Sequence, residues 1–123
     1  MHGANSAYYL DCFKEWSNDN PQVMTMIALK AQQMVVANGY VSVKYIFEWL
    51  RYESGVDITT PNGLVGPKLD NSWTSIVTRL LARDFPEVGK CLQMRPCDYT
   101  SEDLADIHPQ WFQVTAGTYA LAV

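Results

Sequence analysis

The residues with the clearest chemical capacity are Arg79 and Arg83, one helical turn apart in "DNSWTSIVTRLLARDFP", residues 70–86. Arginine bonds bidentately to phosphate or to the edge of guanine. Ser72, Thr74 and Ser75 lie at the start of the same stretch, where hydroxyls and a helix dipole favour an anion. Lys68 sits just ahead of it, and Lys44, Arg51 and Arg95 add charge elsewhere in the middle of the chain. Together Lys44, Arg51, Lys68, Ser72, Ser75, Arg79, Arg83 and Arg95 form a candidate nucleic-acid-binding set. The same residues also suit the solvated or protein-contacting face of an amphipathic helix; on the nucleic-acid reading Arg79 and Arg83 are expected to be needed for duplex binding and dispensable for folding.

Other constellations offer less. Cys91, Cys97 and His108 are three zinc-ligand types, but the C-x5-C spacing is unusual and no fourth ligand stands nearby. Asp103 and Asp106 are one turn apart, as in a metal pair or a solvated acidic face. Cys12 has no neighbouring base to activate it. Phosphate-binding loops, dinucleotide fingerprints and nucleophile elbows are absent. The expectation is a protein that is not an enzyme and carries no cofactor and no metal.

The elements that must position these residues follow from periodicity. Residues 5–18 place Tyr9, Phe13 and Trp16 near one helical face, with Asn5 or Ser6 as cap. Asn20-Pro21 starts a second helix, 21–37, and Gly39 stops it. Its buried side is expected at Val23, Met26, Ile27, Met34 and Val35. Tyr40-Val41 is a very short strand, and Ser42 caps a third helix, 43–54, with Ile46, Trp49 and Leu50 as its stripe. Residues 55–69 read as a long loop with a "PNG" turn. The helix over 71–85 buries Trp73, Ile76, Val77, Leu80 and Leu81 at i, i+3, i+4, i+7 and i+8. Pro86 ends it, and "EVGKCL" allows a further turn. "CLQMRP" reads as a strand, Thr100 or Ser101 as the cap of a short acidic helix, and 111–123 as a β-hairpin around Ala116-Gly117.

Helix, short strand, helix, loop, helix and strands is the order of a winged-helix domain. The expected class is therefore mainly α with a small β component. Residues 1–95 form a winged-helix-like core, with 71–85 as the helix presented to DNA and 91–95 in the wing. Residues 96–123 form an acidic C-terminal extension of the same compact domain.

The totals agree with one folded domain: 123 residues, 48% hydrophobic and 18% charged. Net charge is −4, which does not by itself favour nucleic acid, but its distribution is uneven. Residues 1–29 carry one lysine against three acids, and 96–123 carry four acids and no base. Residues 30–95 carry eight bases against six acids. Three cysteines, no apolar run of bilayer length and no secretory pattern at the start imply reduced thiols, no membrane segment and the cytoplasm.

Three pieces carry a resemblance. They are "CFKEWSNDNPQV" (Phe13, Trp16, Asn20, Pro21, Val23), "VSVKYIFEWLRYE" (Ser42, Lys44, Ile46, Arg51) and "KLDNSWTSIVTRLLARDFPEVGKCLQMRP" (Lys68, Asn71, Ser75, Arg79, Leu80, Pro86, Arg95). In this order and spacing, over roughly residues 13–95, the chain resembles short phage and prophage proteins of no established activity. The resemblance implies a phage-type accessory protein working in the host cytoplasm. This chain has fewer basic residues than that pattern, and its acidic 96–123 segment lies outside it.

Two functions are expected on these grounds. One is binding of nucleic acid, duplex DNA in the winged-helix mode, in regulation or replication. The other is binding and inhibiting a host protein such as a defence nuclease, with acidic ends and abundant aromatics as the contact. A structural role in a virion or oligomeric assembly is the third reading, and a homodimer is compatible with each.

Overall fold

A computed structural model describes residues 4–52, 71–93, 99–109 and 111. It is mainly helical. The helices are α1 (Ala4–Asp19), α2 (Pro21–Asn38), α3 (Val43–Tyr52), α4 (Thr74–Asp84), α5 (Pro86–Gly89) and α6 (Ser101–Leu104), with a 3₁₀ turn over Asn71–Trp73 leading into α4. Among the described residues no helix is long and apolar enough to cross a membrane.

The central element is α2, which touches α1, α3 and α5, while α4 packs on α3 and α5. Its buried residues are Val23, Met24, Ile27, Ala28, Ala31, Gln32 and Met34. Fully buried Ala28 and Ala31 let neighbouring backbones approach closely, which explains a wider buried face than the large side chains alone suggest. Met26 and Val35 lie at its margin rather than in the core.

The joints follow local chemistry. Pro21 opens α2 without wasting a donor. Asn20 does not cap α2 with its side chain. Its Nδ2 donates back to the Trp16 carbonyl at 2.9 Å, and its own carbonyl accepts from Val23 and Met24. The residue thus satisfies groups of both helices. Gly39 closes α2 at φ 68°, donating to Val35 O, a left-handed conformation that glycine adopts freely. Ser42 caps α3 through its Oγ, which accepts from Tyr45 N at 3.2 Å. Thr100 and Asp103 form a reciprocal capping box at α6. The first helix begins at Ala4, so Ser6 lies inside it and does not cap it.

Two expectations change. The stripe of α3 is Val43, Ile46, Phe47 and Leu50, and Trp49 sits half-buried at its edge, with Lys30 Nζ 4.8 Å from its ring centroid. The β component shrinks, among the described residues, to a single parallel bridge, Val41 to Leu92. A hairpin wing pairs antiparallel strands, so this bridge is not a rung of one. The expected wing strand 91–95 is described only to Gln93, and the loop 55–69, the end of the third helix at 53–54 and the hairpin 112–123 lie outside the described residues.

The bridge still has an architectural effect. Val41 N donates to Cys91 O at 3.0 Å. Gly89 allows α5 to lie tightly on α4, since a Cβ there would meet Ala82 Cα at 3.2 Å. The segment after α5 is thereby drawn against the start of α3.

Candidate nucleic-acid interface

That arrangement builds a hollow from three separate parts of the chain. Tyr40, Ser42 and Lys44 come from the α2–α3 junction and the first turn of α3, Ser75, Thr78 and Arg79 from the first turns of α4, and Leu92 and Gln93 from the segment after α5. Its volume is about 390 Å³. A second hollow of about 360 Å³ lies between α2 and α3, lined by Lys30, Gln33 and Tyr45 among others, and shares Tyr40 and Ser42 with the first. A third, of about 380 Å³, lies between α4 and α6 and shares Arg79. Arg83, Tyr99, Thr100 and Ser101 complete its wall. The three hollows adjoin in series.

Their electrostatics differ from those of the chain as a whole. Lys30, Lys44, Arg79 and Arg83 line them, and no described lining residue is Asp or Glu. Four of the chain's nine lysines and arginines therefore gather on one track of a protein with net charge −4. An anion in the first two hollows meets Lys30, Lys44 and Arg79 with no carboxylate among the described lining residues, whereas in the third the charge of Arg83 is already paired with Asp84.

The hydroxyls are not equivalent. Thr78 Oγ1 donates to the Thr74 carbonyl at 2.6 Å, so toward the hollow Thr78 offers only lone pairs. Ser42 Oγ accepts from the backbone and keeps its own O–H to donate. Ser42, next to Lys44 on the same wall, is thus the better hydroxyl for an anionic oxygen.

Of the expected set, Lys44, Ser75 and Arg79 come together in the first hollow, and Arg83 lines the third. Ser72 lies in the 3₁₀ turn and lines none of the three hollows. Arg51 stands in the last turn of α3, roughly 10 Å along the axis from Lys44, and also lines none of them. Lys68 and Arg95 lie outside the described residues.

Arg83 has a structural task that its spacing does not reveal. Its Nη1 donates to Leu104 O at 2.9 Å and its Nη2 to Ile107 O at 2.8 Å. Nε pairs with Asp84 at 2.7 Å. The guanidinium thus ties the α6 region to α4, a contact that the expectation of dispensability for folding did not include. Asp84 also accepts from Trp111 Nε1 at 2.7 Å. Burial works to raise the Asp84 pKa, and the hydrogen bonds from Arg83 and Trp111, with the charges of Arg83 and His108, outweigh it and hold the carboxyl below its ordinary value.

Sequence reading missed Lys30, Tyr40, Ser42, Gln93 and Tyr45 as site residues. The signal for Tyr40 was the Gly39 stop, which fixes an exposed aromatic at a helix junction. Among the described residues no group of three or more His, Cys, Asp or Glu side chains is placed to hold a metal. Cys12 and Cys91 are free thiols, and Cys97 lies outside the described residues.

Comparison with protein-family models, with curated proteins and with solved structures finds no match to this chain.

Proposed function

We propose that the protein is a small phage-type accessory protein that binds nucleic acid without catalysing a reaction and without a cofactor, in regulation or replication inside the host cell. The observation that carries this reading is the series of hollows lined by Lys30, Lys44, Arg79 and Arg83 and by no described Asp or Glu. Phosphate oxygens are the ligand that such a wall suits, with Lys44 and Arg79 as the central pair and Ser42 and Ser75 as hydroxyl partners. On this reading α2, α3 and α4 are the three helices of a winged-helix-like unit. The order of these helices and the packing of α3 on both α2 and α4 support it.

Anisotropy titration of labelled single-stranded and duplex DNA, at low and at physiological salt, tests it. The expected result is binding that weakens steeply with salt. The Lys44→Ala/Arg79→Ala double variant should bind far more weakly and reduce the salt slope by about one for each phosphate contact removed. Absence of binding to either DNA at low salt would overturn the reading. Inhibition of a host protein, through the acidic α1 surface of Asp11, Glu15 and Asp19, would then be the function to pursue.

A further inference from the structure

We propose that the strand held in these hollows is single-stranded, with an unpaired base stacked on Tyr40. The inference rests on the nucleic-acid reading above and narrows it to one class of ligand.

The first argument is shape. A helix that reads duplex DNA must project into a major groove about 12 Å wide. The polar side of α4 does not project. Ser75, Thr78 and Arg79 are half-buried and form the wall of a concavity shared with the start of α3. A concave track with cations along it fits a thin, flexible strand better than a rigid cylinder.

The second argument is Tyr40. It is 52% exposed, although it is a large aromatic in a well-packed domain. It lines both the first and the second hollow and so stands at their junction. Among the described residues it makes no hydrogen bond, ion pair or ring contact. Tyr45, 44% exposed, lines the second hollow too, but Lys30 lies 6.0 Å from its ring centroid. Tyr40 follows Gly39, whose left-handed cap fixes the end of α2, and precedes Val41, which is held by the bridge to Leu92. The shelf is therefore anchored on both sides. In a duplex the faces of bases are hidden within the stack. An aromatic face stacks directly on an unpaired base, whereas in a duplex it must first unstack a base step, and the adjoining cations are placed for the phosphates on either side of it.

The test uses the full chain and fluorescein-labelled oligothymidine of about 15 nucleotides, a duplex of equal length, and an abasic single strand of the same length. Wild type should prefer oligothymidine to duplex by about tenfold or more at physiological salt. Tyr40→Ala should lose about tenfold in affinity for oligothymidine, as expected for one stacked base. Its salt slope and melting temperature should be unchanged. Tyr40→Trp should retain binding, and the abasic strand should bind wild type and Tyr40→Ala alike. Equal or tighter binding of duplex, or unchanged oligothymidine affinity in Tyr40→Ala, would overturn the inference while leaving the nucleic-acid reading intact. Failure to bind any of the three probes would remove both.

Discussion

Arg79 and Arg83 are one turn apart on one helix, and periodicity treats them alike. The structure gives them different tasks. Arg79 lies on the wall shared by two hollows. Arg83 directs donors to carbonyls 21 and 24 residues downstream. The placement of both on the outer face of a helix was legible from the stripe opposite. The second task was not, because the accepting groups are backbone carbonyls and leave no trace in side-chain types. Arg83→Ala should lower stability by about 1–3 kcal/mol, the usual range for losing hydrogen bonds from a charged group. Arg83→Lys should recover little of it, since an ammonium lacks the planar fork that reaches two carbonyls and a carboxylate together. Urea denaturation reads both variants. A midpoint unchanged in Arg83→Ala would mean that the clamp contributes nothing to folding.

At the scale of the element, α4 was the most legible part of the chain. Trp73, Ile76, Val77, Leu80 and Leu81 are all buried, as their spacing requires. The entry into the helix was less so. Residues 71–73 form a 3₁₀ turn, and Trp73 precedes the first α-helical residue. The reason lies across the core. The Trp73 ring sits 5.7 Å from that of Phe13 in an edge-on arrangement and 5.2 Å from that of Trp16. These contacts of α1 with the turn hold the indole inward and so set where α4 starts. No local pattern contains them, since they join residues some sixty positions apart. Trp73→Ala should cost about 3–5 kcal/mol, the range for emptying a buried aromatic site. The same loss should loosen the start of α4, and hence the Ser75 wall of the first hollow. Near-wild-type stability would show that the contact of α1 with the 3₁₀ turn is not a main support of the core.

At the scale of the whole molecule, the acidic segment 99–109 is docked rather than appended. Tyr99 Oη donates to Ser6 O at 3.1 Å, Lys14 pairs with Asp106 at 3.1 Å, and the Phe85 and Trp111 rings meet edge-on at 5.4 Å. Length and composition carry only the expectation of a single domain. This docking was not legible, because it joins the two ends of the chain through side chains with no periodic pattern between them. Asp84 ties the segment to α4 through Arg83 and Trp111, and its folded-state pKa lies below the ordinary 3.8. A carboxyl with a depressed folded pKa stabilises the fold fully at pH values above the unfolded pKa. As pH falls through 3.8 the unfolded chain takes up its proton first, and the contribution is gone once the folded carboxyl is protonated. The exposed Lys14–Asp106 pair follows the same direction, with Lys14 lowering the Asp106 pKa, but solvent screens it. Urea unfolding of wild type and Asp84→Asn should therefore differ most from about pH 7 down to about pH 5 and converge as pH falls below 3.8. Curves that stay parallel across that range would show that the Asp84 charge does not hold the C-terminal segment in place. Convergence would show that the Asp84 charge, held by Arg83 and Trp111, contributes to the stability of the fold.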